Sequence, residues 1–204
     1  MIRRAALLLA ALTVPALSLA EGATWNIDPA HTRSGFTVRH LVISNVRGEF
    51  GKTTGKVVLD EKDPTKSSVE ATIDVNTIDT RVPDRDAHLR SADFFDVAKY
   101  PTITFKSTKV HAAGKGKLEV IGDLTMKGVT KPVVLQVDGP SAEVKGPMGE
   151  ARRGMVARTV VNRREFGLNW SKAVEAGPVV GDDVQIEIEA EMVKAGTGKQ
   201  AAAK

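Results

Sequence analysis

Apolar and polar residues alternate with a period of two along much of the chain. The clearest run covers residues 184–192, where every second residue is apolar: Val184, Ile186, Ile188, Ala190 and Met192. Residues 69–75 repeat this pattern, and weaker copies begin near residues 36, 57, 103, 118, 133 and 155. Because side chains alternate between the two faces of a strand, these runs predict about eight strands with one apolar face each.

Glycine and proline separate these runs at short intervals, which favours hairpins and antiparallel pairing. One segment differs, because Leu89, Ala92 and Phe95 recur at helical spacing after acidic residues that suit the first turn of a helix. We therefore predict an all-β fold, a sandwich or closed barrel of about eight antiparallel strands, with one helix near residues 84–96.

The two ends of the chain differ from its body. Residues 1–20 combine Arg3 and Arg4 with a short run of small apolar residues and end on Ser18-Leu19-Ala20, which predicts a cleaved secretory signal peptide and no stable membrane anchor. Residues 195–204 carry no apolar pattern and predict a disordered polar tail. Residues 21–194 remain as a single domain, long enough to bury a core of its own.

The charge and the cysteine content of the chain exclude several kinds of site and partner. The chain has no cysteine, which excludes disulfides, a thiolate nucleophile and a cysteine-ligated metal. Five of its 29 basic residues lie outside residues 21–193, which leaves 24 basic against 25 acidic residues there. A near-neutral body gives no electrostatic reason to expect nucleic acid as a partner.

Signature motifs of catalysis are missing from the sequence. Gly51-Lys52-Thr53 lacks the earlier glycine of a phosphate-binding loop, and no serine lies in a nucleophile motif. The four histidines, His31, His40, His88 and His111, never take the local spacing of metal ligands. A metal site assembled from distant strands stays open, but packing and capping roles account for the same histidines.

The densest basic cluster consists of Arg152, Arg153, Arg158, Arg163 and Arg164. It could meet an anionic head group such as a diphosphate. On a single strand, however, Arg152 and Arg158 would point away from Arg153, which favours a solvated surface.

The aromatic residues are few, and ordinary core packing accounts for most of them. A one-sided apolar face on about eight strands also suits a barrel whose interior holds one elongated ligand. The alternation by itself does not distinguish a filled interior from a hollow one.

Several separated motifs resemble the YceI-like family. They are residues 25–32 (WNIDPAHT), 35–41 (GFTVRHL), 46–50 (VRGEF), 84–96 (DRDAHLRSADFFD), 100–105 (YPTITF), 122–133 (GDLTMKGVTKPV), 162–168 (NRREFGL) and 180–184 (VGDDV). The resemblance covers Thr24 to Val193 in the right order. It implies a lipocalin-like, extended antiparallel barrel that encloses a polyisoprenoid chain, either a prenyl diphosphate or the tail of an isoprenoid quinone.

The resemblance also implies a periplasmic binding protein without a cofactor, for transport, storage or stress protection of the lipid, and it admits a homodimer. The candidate lining of the bore is Phe36, Val38, Phe94, Phe95, Phe105, Phe166 and Trp170. One alternative is an enzyme of isoprenoid metabolism that uses His31, Asp86, His88 or Asp93 at the barrel mouth. A second is a structural or adhesion domain with a packed interior.

Overall fold

A computed structural model describes residues 22–174 and 177–197. These residues form fourteen strands, one α-helix, α1 (Pro83–Arg90), and 3-10 helices at Pro64–Lys66, Val75–Thr77 and Arg163–Phe166. The strands are β1 (Ala23–Ile27), β2 (Arg33–His40), β3 (Ser44–Phe50), β4 (Thr53–Leu59), β5 (Ser68–Asp74), β6 (Ile78–Asp79), β7 (Thr102–Ala112), β8 (Lys117–Met126), β9 (Val129–Asp138), β10 (Val144–Lys145), β11 (Ala151–Asn162), β12 (Ala173–Val174), β13 (Gly177–Pro178) and β14 (Val180–Lys194).

The long strand β14 closes the sheet into a barrel because it pairs along both of its edges. One edge pairs with β11 over eleven residues, and the other pairs first with β2 and then, near its end, with β1. The closed ring runs β14-β1-β4-β5-β7-β8-β9-β11, and β2, β3 and β6 extend the wall. All pairs are antiparallel, which confirms the predicted extended barrel of eight strands with one helix.

Alternation along the strands directs the apolar side chains inward. On β8, Leu118, Val120 and Leu124 are buried, whereas the neighbouring Lys117 and Asp123 are exposed. The register of β14 with β11 places each inward residue of one strand beside an inward residue of the other, for example Ile188 opposite Ala157. The barrel interior is therefore apolar over most of its length.

The helix is shorter than predicted, because it ends at Arg90 and not near residue 96. Ser91 is extended, and the chain then folds back so that the Phe95 N–H donates to the Leu89 carbonyl at 3.1 Å. Adjacent residues of a helix point about 100° apart. The turn instead lets both Phe94 and Phe95 face the interior.

The predicted signal peptide lies outside the described residues, as does most of the predicted tail. Residues 195–197 form a turn at the end of β14, where the Ala195 N–H donates to the Thr24 carbonyl at 2.8 Å. Among the described residues, no helix has the length and apolar character needed to cross a membrane.

Candidate lipid-binding bore

The barrel encloses an elongated apolar cavity, which we call the bore. The centre of a water molecule has about 220 Å³ in which to move there. Aliphatic and aromatic side chains from nearly every strand of the ring line it, among them Ile27, Val57, Leu59, Ile73, Ile103, Val110, Leu118, Val120, Leu124, Val133, Leu135, Val137, Met155, Ala157, Val161, Val184, Ile186 and Ile188. No acidic residue of the described chain lines the bore.

Five of the seven predicted lining residues border the bore: Phe36, Val38, Phe94, Phe95 and Phe105. Three aromatic rings form a continuous row, since the Phe36 and Phe50 ring centroids lie 5.6 Å apart and those of Phe50 and Phe95 lie 6.0 Å apart. The row continues the apolar wall from β2 and β3 to the turn that follows α1. Contact of these side chains with a ligand stays a prediction.

The structure places the other two predicted residues, Phe166 and Trp170, behind the lining. Phe166 is only 1% exposed and packs within the core, in the 3-10 helix that follows β11. Trp170 lies against Phe94, with ring centroids 5.2 Å apart, and against His88 at 5.3 Å. Aromatic content by itself could not separate residues that face the bore from residues that support its wall.

Two glycines make room for rings of the lining. A Cβ atom at Gly48 would lie 2.4 Å from Cζ of Phe36, and one at Gly122 would lie 2.5 Å from Cζ of Phe105. Both distances are far shorter than van der Waals contact. Glycine at these positions therefore lets the two rings approach the barrel wall closely, and at Gly122 it also avoids the Lys106 carbonyl oxygen, 2.5 Å from the added Cβ.

Arg163 is the one charged residue of the described lining, and nothing in the sequence distinguishes it from the other arginines of the cluster. It is 4% exposed, and its guanidinium donates to the carbonyls of Gly181 and Trp170 at 2.9 and 2.8 Å and to Asp182 at 3.1 Å. Burial lowers the pKa of Arg163, although Asp182 partly offsets this. These bonds tie the segment after β11 to the start of β14.

Of the other arginines of the cluster, Arg153 lies on the inward face of β11, over the Trp25 ring and outside the lining of the bore, and the remaining three point outward. The register of β11 confirms that Arg152 and Arg158 share the face opposite to Arg153. Arg158 is exposed and pairs with Asp138 and Glu187, each at 2.8 Å. Arg164 pairs with Asp182 on the surface at 2.6 Å. The cluster is therefore not a single anion site.

A polar cluster on the outside of the barrel centres on Arg152. Its guanidinium bonds to Asp28 at 2.8 Å, to Glu150 at 2.7 Å and to Glu191. Burial raises the pKa of Asp28, but hydrogen bonds from His31 and Arg152 outweigh this and hold the pKa below its ordinary value. Asp28, His31 and Glu191 have ligand atoms within 4.8 Å of one another, as a metal site needs, yet the acidic groups are already bonded to Arg152.

The four residues of the enzyme alternative fall into separate places. His31 belongs to the Arg152 cluster. Asp86 is buried and accepts from the backbone N–H and the hydroxyl of Thr80, at 2.9 and 2.5 Å, which is a structural role. Only His88 and Asp93 meet, at 3.0 Å, beside the lining residue Phe94.

The end of the barrel away from α1 is closed by packed side chains, which we call the base: Trp25, Ala151 and Met192. Trp25 and Met192 are fully buried. The Arg153 guanidinium carbon and the Lys194 ammonium nitrogen lie over the Trp25 ring, 5.2 and 5.5 Å from its centroid. The bore therefore ends at Ile27, Val57 and Leu59, which pack on the base.

Known proteins are similar to this chain in sequence and in fold. The YceI-like domain model matches residues 25–192. A UPF0312 protein of Vibrio parahaemolyticus is 38% identical over 172 residues, which are 83% of this chain and 86% of that protein. Burkholderia cenocepacia BcnA superposes with a TM-score of 0.70 at 24% identity and covers 81% of this chain and 98% of its own.

A polyisoprenoid binding domain from Saccharophagus degradans, implicated in plant cell wall breakdown, has the same fold, with a TM-score of 0.61 at 16% identity. The alignment covers 85% of this chain and 99% of that domain. With 168 consecutive residues matched to the family model and close to two fifths identity to a relative, the chain belongs to the YceI-like domain family.

Proposed function

We propose that this protein binds a polyisoprenoid chain, of a prenyl diphosphate or an isoprenoid quinone, inside the bore. The observation that carries the proposal is the bore itself, an elongated cavity with an almost wholly apolar lining. Family membership supports a binding protein, and a structural relative is named for polyisoprenoid binding. A chain that offers only apolar surface needs such a lining and few polar partners.

The energetics favour this class of ligand. Removing apolar surface from water contributes about 25 cal/mol per Å², an upper value before the ligand and lining lose conformational freedom. A cavity without acidic groups gives no general acid or base along most of the chain of a bound isoprenoid. Area and shape, and not directional bonds, then determine affinity.

Export is a second part of the proposal. The charged and apolar pattern of residues 1–20 supports cleavage after Ala20 and a periplasmic location. In that compartment a soluble carrier would shield an isoprenoid from water during transport, storage or stress protection. A homodimer is compatible with this role, and N-terminal sequencing of the exported protein together with its mass in solution tests both points.

One observation favours the enzyme alternative. His88 and Asp93 are hydrogen-bonded at 3.0 Å next to Phe94, so an acid–base pair lies close to the bore. Turnover of a prenyl diphosphate that is lost in His88→Ala would support catalysis. If the wild-type protein leaves the prenyl diphosphate unchanged and forms no product, the result would support binding without catalysis.

Retention of lipid by matched variants tests the binding proposal. Val133 and Val134 are adjacent on β9, but Val133 lines the bore and Val134 faces solvent. In protein purified without detergent, organic extraction and mass spectrometry should find a polyisoprenoid in the wild type and in Val134→Asp. Val133→Asp should lose at least about tenfold of it, because a carboxylate in the bore is poorly hydrated.

Equal retention by folded Val133→Asp and Val134→Asp would place the ligand outside the bore. A wild-type protein that carries no isoprenoid and takes up none from solution would support the packed structural domain instead. Circular dichroism of both variants shows whether they are folded.

A further inference from the structure

The turn between β2 and β3 presents apolar side chains to solvent. We call Leu41, Val42 and Ile43 the tip. Val42 is 52% exposed and Ile43 is 76% exposed, the largest exposure among the large hydrophobic residues of the described chain. Hairpin turns are ordinarily built from polar residues and glycine. The requirements of a hairpin turn therefore do not explain why the residues of the tip are apolar and exposed.

The backbone of the tip is strained. Leu41 and Val42 have φ values of 50° and 62°, and the Ile43 N–H donates to the His40 carbonyl at 3.1 Å. Positive φ at both central positions suits Asn-Gly, whereas a β-branched residue such as Val42 is disfavoured there. Folding alone would select other residues, and strain of this kind tends to mark functional sites.

The tip is held in a fixed position by its neighbours. The Arg39 Nε–H donates to the Val42 carbonyl at 3.0 Å, and its Nη1 donates to the Asn45 side chain at 3.3 Å. The Leu41 N–H donates to the Val179 carbonyl at 3.0 Å. These bonds fix the backbone of the tip relative to the barrel.

The tip lies just beyond one end of the bore. Val38 on β2 and Val180 on β14 both line the bore, and Val180 pairs with His40, the residue before the tip. An apolar surface that the tip enters would therefore lie close to the end of the bore.

The two strands that carry the tip bring basic groups close to it, whereas the nearby start of β14 carries Asp182, which is paired with Arg163 and Arg164, and Asp183. Residues 37–48 contain Arg39 and Arg47 and no acidic residue. The hydrogen-bond acceptors of Arg39 are uncharged, so its charge is not neutralised there. The Lys172 backbone is adjacent as well, since its carbonyl accepts from the Val179 N–H at 2.9 Å. Apolar side chains with flanking basic groups suit the surface of an anionic bilayer.

We propose that the tip inserts Val42 and Ile43 into the interface of an anionic lipid bilayer, and that this docking places the end of the bore at the membrane. The choice of a bilayer as the occupant rests on the proposed function, because an isoprenoid is a membrane lipid. Docking is peripheral and reversible: two aliphatic side chains and a few basic groups give weak, salt-sensitive binding.

Flotation with vesicles tests the proposal. The probe is phosphatidylcholine vesicles containing phosphatidylglycerol, without any isoprenoid. Val42→Asn with Ile43→Ser should lower the partition coefficient by at least about tenfold, since the buried methyl and methylene groups are lost. This double variant should fold, because asparagine tolerates positive φ. Arg47→Gln should lower binding by about fivefold at low salt, the effect of one basic residue near the surface.

Val144→Ser is the matched control. Val144 is 58% exposed, but it lies on β10 beside the start of β11, at the base end of the barrel. That end is about 40 Å from the tip along β14. The control should bind vesicles like the wild type.

Three results would overturn the proposal: no vesicle binding by the wild type, equal binding by the tip variant, or an equal loss in Val144→Ser. Loss of a dimer in the tip variant, without vesicle binding by the wild type, would assign the tip to a second copy of the chain. Isoprenoid retention from solution, measured in parallel, should be unchanged in the tip variant. Docking without any retention would contradict the proposed function and leave the docking surface standing.

Discussion

The base and the bore are built by the same strands, yet one is filled and the other is hollow. At the base, Trp25 and Met192 are fully buried and pack with Ala151. Farther along the same strands, Ala157 on β11 and Ile188 on β14 border open space. Alternation directs apolar residues inward at both places, so the difference lies in how completely the side chains fill the interior, and at the base the Trp25 indole fills it.

The comparison shows how one barrel separates stability from binding. A large indole held under Arg153 and Lys194 closes one end of the barrel and anchors the strands there. Glycines at positions 48 and 122 and the small Ala157 keep the remainder open. Mutations at the base should therefore change stability, and mutations in the bore should change ligand retention.

The largest effect is expected from Trp25→Ala. Loss of a fully buried indole should lower the free energy of unfolding by about 3–5 kcal/mol, measured by urea denaturation. Phe36→Ala should lower the free energy of unfolding as well, but by a smaller amount. Its loss should be at least about 1 kcal/mol smaller than that of Trp25→Ala, because the Phe36 ring already borders empty space. Equal losses in the two variants would mean that the bore is packed like the base.

Two matched substitutions on β11 add side-chain volume instead of removing it, one at the base and one in the bore. Ala151→Leu should destabilise the protein by about 1–3 kcal/mol, because the base has no room for the added atoms. Ala157→Leu should leave stability unchanged or raise it by up to about 1 kcal/mol, because the side chain fills part of the bore. Only Ala157→Leu should reduce lipid retention. Reduced retention in Ala151→Leu, with normal retention in Ala157→Leu, would contradict the comparison of base and bore.

Gly48→Ala should act on the bore through Phe36. The added methyl group would meet the Phe36 ring and also Cγ2 of the buried Thr80, 2.7 Å away, so it should displace the ring toward the cavity and lower stability by about 1–3 kcal/mol. Retention of a polyisoprenoid should fall severalfold. Gly154→Ala is the control, since its Cβ atom would lie 3.8 Å from the nearest heavy atom, the Ala190 carbonyl oxygen. An equal effect of both changes on retention would exclude this role of Gly48.

The smallest expected effect on stability comes from acid, which should weaken the polar cluster around Arg152 on the outside of the barrel. The pKa of Asp28 is lower in the folded protein than its ordinary value of 3.8, so its bonds stabilise the fold fully above that pH and are lost as the pH falls through the folded value. Asp28→Asn should therefore differ most from the wild type near pH 7 and least near pH 2. A difference that grows on acidification would contradict this sign.

The strands and the family could be predicted from the sequence because their signals are local. The alternation at residues 184–192 and 69–75 follows directly from the pleat of a strand. Closure of the barrel was harder to predict, since it depends on the pairing of β11 with β14 and on the change of partner from β2 to β1.

The site was predicted only in part. The predicted lining consists of aromatic residues and Val38, but the alternating Val133, Leu135 and Val137 carry the same inward signal and border the bore as well. Phe166 and Trp170 follow the end of β11, where period-two alternation no longer determines orientation. The open volume has no local signature, because it depends on all the inward side chains of eight strands at once.

Photolabelling tests most directly whether an isoprenoid chain lies in the bore. A polyprenyl probe with a diazirine near the end of its chain would be irradiated with the purified protein, and labelled residues would be identified by mass spectrometry. If the chain lies in the bore, inward residues such as Val120, Leu135 and Ile186 should be labelled, and labelling should fall by at least about tenfold in Val133→Asp. Labels confined to outward residues such as Val134 and Val160, or labelling that Val133→Asp leaves unchanged, would contradict it.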